Sequence, residues 1–465
     1  MIKSVTLKNK TYHLLNDNQI NKNKNIYSII TGKNGVGKSR LLSAIVNDFI
    51  SYRAESHDKF YINGRERTFE NSSYQIEQGN IINKIIAVST SAFDKFPVPR
   101  KRERLSYYSY LGVRGLGNTL NLSKEYLSRI ISKLISSILY HNIDMSEIGR
   151  VLAYLGYEDK IEIFFSYKFS NSKLKKVTES KDITSSFSSE FLNVTPFNSI
   201  NSNHYVSSDN NYYKDNIMHT VDMMKGLDID RTGRTGTIQI HGNELFFEDV
   251  KVSYNDKRIN AFVHLLEQGF ITARDILLKK KDSGFKYKIS DASSGEQCIV
   301  MSIIGIASQI EDNSLICIDE PEICLHPEWQ ERYIPILIDT FRHYNGCHFI
   351  IATHSPQITS KLVNENCFVI SMQDGLARDA KEFINKSIDF QLASIFKAPG
   401  YKNEYLTRML IAFLTKLSAH EEISQEEYTS IKDIISLKGI IDDSDPVGKL
   451  ISLAEKAMKV ARHGN

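Results

Sequence analysis

The segment Gly32-Lys33-Asn34-Gly35-Val36-Gly37-Lys38-Ser39 has the spacing G-x-x-x-x-G-K-S. Glycines at these positions let the backbone wrap a polyphosphate, whose charge is offset by successive amides and by the N-terminus of a following helix. Lys38 would reach the β and γ phosphates, and the Ser39 hydroxyl would ligate magnesium. Lys33, Asn34, Gly35, Val36, Gly37, Lys38, Ser39 and Arg40 are therefore the candidate nucleotide contacts on this side. A glycine-rich turn alone can be just a turn, so the assignment depends on its company. LICIDE, Leu315 to Glu320, is an apolar run ending in two acids. Asp319 would hold magnesium, and Glu320 would orient and deprotonate an attacking water. HFIIATHSP delivers Thr353 and His354 after another apolar run, where a histidine could bond the γ-phosphate and sense its loss. In Ser293-Ser294-Gly295-Glu296-Gln297 the same residues can form a local capping box or an exposed anion site at a helix start.

These groups need elements that bring them together. Residues 26 to 53 read as a short apolar strand, a glycine-rich turn and a helix with apolar residues at helical spacing. Lys84 to Ser91 reads as a buried strand ending in a Ser/Thr-rich loop closed by Pro97 and Pro99. From Ser290 the order is loop, helix, strand, helix, strand. This alternation predicts an α/β fold with a mainly parallel sheet and helices on its faces. Elsewhere the pattern predicts helices over Ser123–His141, Ser146–Leu155 and Arg258–Lys279, with strands at Thr237–His241 and Glu244–Phe247. From Asn171 to Asp215 the chain is rich in Ser, Asn and Lys and reads as a polar, disorder-prone insertion. After Met372 the pattern is mostly helical.

The 465 residues, 41% hydrophobic and 24% charged, fit a globular protein of two or three domains. A net charge of +3 identifies no partner, although PRKRER (Pro99 to Arg104) and LLKKKDSGFKYK (Leu277 to Lys288) could contact phosphates. The first residues lack the apolar run of a secretory signal, and nowhere do about 18 consecutive apolar residues occur, which predicts a cytoplasmic protein without a membrane partner. The five cysteines form no CxxC pair and read as reduced thiols of the core.

The ordered set GKNGVGKS, SSGEQ, LICIDEPE, LHP and ATHSP resembles the ABC-type ATPase head shared by SMC-like, RecF-like and OLD-like proteins. The resemblance implies ATP and Mg2+ as cofactors, and hydrolysis carried by Glu320, His354 and Lys38, with Ser39 and Asp319 at the metal. It implies two heads sandwiching two ATP molecules, with Ser294, Gly295 and Glu296 offered in trans to the other chain's nucleotide. It divides the chain into an N-terminal part of the head (1–98), a helical insertion with the polar segment 171–215 and return strands (99–285), a C-terminal part of the head (286–375) and a helical region (376–465). Two departures stand out. Glu296 replaces the second glycine of the transporter signature, and no glutamine follows the Lys84–Ser91 strand, leaving Ser89 or Ser91 for the magnesium contact made there.

A narrower resemblance rests on STSAFDKFP, the segment Tyr107 to Gly112, and the tail containing DFQLASIF and GYKNEYLTRML. These are similar to PtuA, the ATPase of Septu antiphage systems, also found in certain retrons. That likeness implies an HNH nuclease partner of PtuB type, with nucleic acid or a retron reverse transcriptase and its DNA/RNA as further partners. A transporter subunit fits poorly, because its helical subdomain before the signature is compact. An OLD-type nuclease centre would need separated acids among further strands, whereas Asp442, Asp443 and Asp445 read as a solvated turn. The alternative is a RecF/SMC-like DNA-binding clamp acting in repair with slow or no turnover.

Overall fold

The computed structural model describes the whole chain except residues 17–19, 22–23, 55–60, 63–64, 67–81, 99–106, 115–121, 141–144, 192–209, 228–234, 242–243, 254–255, 363–365, 385, 420, 443 and 464–465. The basic run PRKRER lies outside the described residues. The chain folds as two compact units. One comprises Met1–Tyr110, Glu311–Ile338 and Arg342–Asn465; the other comprises Leu111–Ile310 and Asp339–Phe341.

The first unit is built on a seven-stranded sheet in the order Ala377–Asp379, Cys367–Ser371, Ile26–Thr31, His348–Thr353, Leu315–Asp319, Ile85–Ser89 and Tyr108–Gly112. Five adjacent strands, from Cys367–Ser371 to Ile85–Ser89, run parallel. Ile26–Thr31, Leu315–Asp319 and His348–Thr353 are buried at every residue. Continuous apolar runs such as IYSIIT and HFIIAT suit strands covered on both faces. The helix Lys38–Ala54 packs Leu41, Leu42, Ile45 and Val46 into one core with Ile30, Cys317 and Ile350 of the sheet. The predicted parallel α/β core is therefore the observed one.

After the sheet come the helices Glu404–Ser418, Gln425–Ser436 and Pro446–His463, with their own core of Leu406, Leu410, Phe413, Ile431, Ile434 and Ile451. Asp445 accepts from the amides of Lys402 and Val447, and Asp442 from that of Ser444. These two acids thus build the turn before the last helix, but Asp445 is buried at 1% accessibility and is not the solvated acid expected; Asp443 lies outside the described residues.

The second unit, expected as a helical insertion with return strands, carries both helices and strands. Its frame is a six-stranded sheet in the order Val250–Val252, Glu244–Phe247, Thr235–His241, Lys160–Tyr167, Ile271–Lys279 and Lys286–Lys288, antiparallel at every pairing. The helix expected over Arg258–Lys279 ends at Glu267, after which Gly269 turns the chain at φ +79°, and Ile271–Lys279 becomes a strand. A short apolar run carries both periodicities, and its two sheet neighbours decide between them. The polar stretch is also partly ordered. Asn171–Thr178 and Ile183–Glu190 are helices capped by the side chains of Ser170 and Asp182. Composition concealed them because each buries only one or two apolar residues, Leu174 with Val177 in one and Phe187 in the other. The SSGEQ segment opens the helix Ser294–Ala307 in this unit.

All five cysteines are free, and Cys317, Cys347 and Cys367 are buried. Among the described residues no helix is long and apolar enough to cross a membrane. His348, at the start of a central strand, is fully enclosed. Its Nδ1 accepts from the Ile2 amide at 3.2 Å, and its Nε2 lies 2.8 Å from Ser28 Oγ, whose own proton goes to Leu14 O at 2.5 Å. That pattern requires the neutral Nε2–H tautomer, because a proton on Nδ1 would face the Ile2 N–H. Burial, then the nearby chain N-terminus, pushes its pKa down to about 3. A depressed histidine pKa stabilises the fold above the unfolded value of 6.5 and loses that contribution as pH falls toward 3. The urea midpoint of the wild type is therefore expected to fall more steeply between pH 7 and pH 5 than that of His348→Gln, and parallel slopes would refute this.

Candidate nucleotide site

The site is built at the carboxyl ends of the central strands. Gly35 and Gly37 adopt φ +81° and +104°, conformations that side-chain-bearing residues enter at a cost. They allow the loop to leave Ile26–Thr31 and turn directly into the helix at Lys38. Lys33, Asn34, Gly35, Val36 and Arg40 are exposed, whereas Lys38 is only 4% accessible. The Lys38 ammonium donates to Gly32 O at 2.8 Å and Lys33 O at 3.1 Å, spanning the loop that a phosphate would enter. Burial lowers the Lys38 pKa, against the opposing pull of Glu320, Glu322 and Asp319.

Parallel register brings the other groups to this edge. Asp319 pairs with Ala352 on one side and Ser89 on the other, and Thr353 pairs with Thr31. Asp319 is buried and accepts from Ser39 Oγ at 3.1 Å. Burial raises its pKa to about 7, with Glu320, Asp94 and Glu322 adding to the rise and the Ser39 bond opposing it. Two ligands at adjacent corners of an octahedral magnesium ion stand about 2.9 Å apart, so the Ser39–Asp319 spacing fits that ion. Among the described residues no three His, Cys, Asp or Glu side chains converge as a metal site. Magnesium here would therefore be held by Ser39 and Asp319, completed by oxygens of nucleotide and water. Its charge would offset the buried acids.

Glu320 stands just past the strand with left-handed backbone angles, φ 47° and ψ 56°, and donates its amide to Ala352 O at 2.9 Å. A non-glycine residue in this region marks a corner held by its surroundings. His354 Nδ1 lies 3.9 Å from Glu320 Oε1 and 3.0 Å from Glu322 Oε1. The shorter contact is an ion-pair distance without linear hydrogen-bond geometry. Lys38, Ser39, Asp319, Glu320 and His354 thus share one edge of one sheet, as their motifs predict.

Two members of the cluster had no role assigned from sequence. Glu322, the last residue of DEPE, is 5% accessible and faces His354. Asp94, in the loop after Ile85–Ser89, is 1% accessible, accepts from Tyr110 Oη at 2.6 Å and acts electrostatically on Asp319. Its signal was an acid shortly after a strand in STSAFD. The loop where a glutamine was missing therefore contributes a carboxylate. Ser89 Oγ instead caps the Ser91 amide at 3.1 Å, and Ser91 Oγ that of Phe93 at 3.2 Å.

In the second unit, Ser294 is exposed at its helix start, Gly295 is buried, and Ser293 Oγ caps the Glu296 amide at 3.3 Å. The carboxylate of Glu296, one of the expected nucleotide contacts, is engaged within its own unit. Oε1 accepts from Tyr157 at 2.6 Å and from Tyr287 at 3.2 Å, and lies 3.3 Å from Lys280 Nζ. Burial pushes this carboxyl up, but the Tyr157, Lys280 and Tyr287 contacts together bring it below its ordinary value. Glu296 thus ties the helix start to the sheet of the insertion.

The strand order, the P-loop and the acids on the adjacent strand define a P-loop ATPase domain of the ABC/SMC-like class. Residues 135–360, which span SSGEQ, LICIDEPE and ATHSP, match the family model described as "AAA domain, putative AbiEii toxin, Type IV TA system". It is 28% identical over 107 residues to the Retron Ec83 probable ATPase of Escherichia coli, covering 21% of this chain and 19% of that protein. It is 26% identical over 103 residues to the Retron Vc95 probable ATPase of Vibrio cholerae, covering 20% of each. The aligned segments thus span about a fifth of these relatives. An Smc head domain from Pyrococcus furiosus, solved bound to the C-terminal domain of ScpA, aligns at 12% identity over 82% of this chain and 97% of that one. Its TM-score is 0.30, too low to bear on the fold, which is established by the strand order.

Because Asp319 carries a raised pKa, its contribution to stability is present at acid pH and lost as pH rises through about 7. Asp319→Asn keeps the acceptor for Ser39 but not the charge. Without nucleotide or magnesium, it is expected to melt about 2–4 °C above wild type at pH 8 and by a smaller margin at pH 5, partway between the unfolded value of 3.8 and the folded value of about 7. An equal offset at both pH values, read by scanning fluorimetry, would contradict this account.

Proposed function

We propose that this chain binds ATP with Mg2+, hydrolyses it to ADP and phosphate, and closes with a second copy around the nucleotide. In this reading the cycle regulates a partner nuclease of HNH (PtuB) type in antiphage defence, in a Septu or retron setting. The convergence of Lys38, Ser39, Asp319, Glu320 and His354 at one sheet edge carries the catalytic part. Lys38 would exchange the carbonyls of Gly32 and Lys33 for phosphate oxygens. Ser39 and Asp319 would hold magnesium, and Glu320 would orient and deprotonate the water. His354 would register the γ-phosphate, and the exposed Ser294 and buried Gly295 would be offered to the other copy's nucleotide. The two retron ATPase relatives support a retron setting, with a retron reverse transcriptase and its DNA/RNA as a further partner in this reading. The cytoplasm is the compartment this reading assigns.

Phosphate release tests the core of the proposal. Glu320→Gln is expected to turn over about 100-fold more slowly than wild type or worse while retaining ATP, and Lys38→Ala to lose ATP binding. With ATP and Mg2+, Glu320→Gln should accumulate as a dimer by light scattering. Equal background hydrolysis in all three proteins would sink the reading.

A second reading, a DNA-binding clamp with slow turnover, draws on one surface. The hairpin of Ile271–Lys279 and Lys286–Lys288 exposes Lys281, Lys286 and Lys288 beside Phe285, which is 66% accessible. Lysines pair with phosphates, and an exposed ring can stack on a base. Replacing these three lysines by Glu is expected to weaken salt-sensitive DNA binding at least tenfold in this reading. Unchanged binding removes the hairpin from consideration.

A further inference from the structure

Glu322 lies three residues beyond the Walker-type Asp319 and is enclosed at 5% accessibility. One of its oxygens, Oε1, serves the corner after His348–Thr353 three times. It accepts from Thr353 Oγ1 at 2.8 Å and from the His354 amide at 2.6 Å, and it faces the His354 ring at 3.0 Å. The other, Oε2, is buried and has no partner among the described residues. A carboxylate kept for packing alone would not leave an oxygen dehydrated and unpaired, since an amide or apolar group would fill the space at lower cost. Its placement is also controlled from the other side. The turn Pro321–Cys324 follows the left-handed Glu320, with Ile323 N donating to Glu320 O at 3.3 Å and Glu320 N to Ala352 O at 2.9 Å. One short turn therefore connects the candidate general base to the corner that carries the candidate phosphate sensor.

We propose that Glu322 is a positioning residue that fixes the backbone and the ring of His354 together, holding the imidazole toward the γ-phosphate position; this rests on the ATP-site reading above. The backbone bonds need only an acceptor, whereas holding the ring as a cation needs the negative charge. The groups acting on His354 are Glu322, Glu320 and Lys38. The Glu322 contact raises the His354 pKa first of all, Glu320 adds to the rise, and burial and Lys38 oppose it.

Glu322→Gln separates these roles, because it keeps the acceptor and shape and removes the charge. The first measurement is the imidazole titration of His354 by NMR in nucleotide-free protein, with the signal assigned by its loss in His354→Ala. The midpoint should fall in Glu322→Gln while the melting temperature holds. The second is hydrolysis, where kcat should drop roughly tenfold to a hundredfold with KM for ATP little changed. In a His354→Ala background the same substitution should have no further effect. An unchanged midpoint, or full kcat in Glu322→Gln, would overturn the proposal. Wild type no faster than Lys38→Ala would sink the hydrolysis reading alone, because the imidazole midpoint still decides the Glu322–His354 coupling. Should the Gln variant fail to fold, Glu322→Asp supplies the comparison. Its shorter arm draws the charge off the ring, so the midpoint should fall there too, and a wild-type midpoint would overturn the proposal.

Discussion

Everything at the candidate site depends on the register of Leu315–Asp319 between its two parallel neighbours. Pairing Asp319 with Ala352 and Ser89, and Thr353 with Thr31, ends four strands within one residue of the same level. The P-loop, the acids after LICID and the ATHSP corner then open on the same side. A slip by one residue would turn Asp319 to the opposite face and carry Glu320 into the sheet. Full burial of these strands prevents such a slip, because each has two covered faces to satisfy.

That register creates an electrostatic problem which the nucleotide complex would resolve. Asp319, Asp94 and Glu322 are buried, Glu320 is close by, and Lys38 and the His354 ring act on this group. Burial alone would force protons onto the carboxylates, and Asp319 moves that way. Glu322 does not, because Thr353, the His354 amide and the imidazole hold its charge. Two acids three residues apart thus carry opposite pKa shifts. One is pushed toward its protonated form, and the other is held charged beside a histidine.

The second unit follows another logic. Its antiparallel sheet packs Phe165, Phe247 and Phe262 against one another, and Phe187, Phe191 and Phe270 form a further aromatic group. The helix Ser294–Ala307 is joined to this sheet through Glu296 and the hydroxyls of Tyr157 and Tyr287, which also bond to each other. Where a transporter signature has glycine, this chain has a carboxylate that connects the helix start to the insertion.

By itself the amino-acid order determined the parts that depend on local chemistry. The glycine spacing around Lys38, the apolar runs ending in Asp319-Glu320 and Thr353-His354, and the capped start at Ser293 were all legible, because turn geometry and strand burial leave direct marks on residue choice. Only the tertiary structure decided the rest. Ile271–Lys279 is a strand because two neighbours pair with it, and the helix Ile183–Glu190 holds because the distant ring of Phe270 receives its Phe187. Asp94 and Glu322 join the site, and Glu296 turns inward, through contacts spanning tens to hundreds of positions. A carboxylate's neighbours set its charge and its role, and the chain order does not name those neighbours until the sheets have formed.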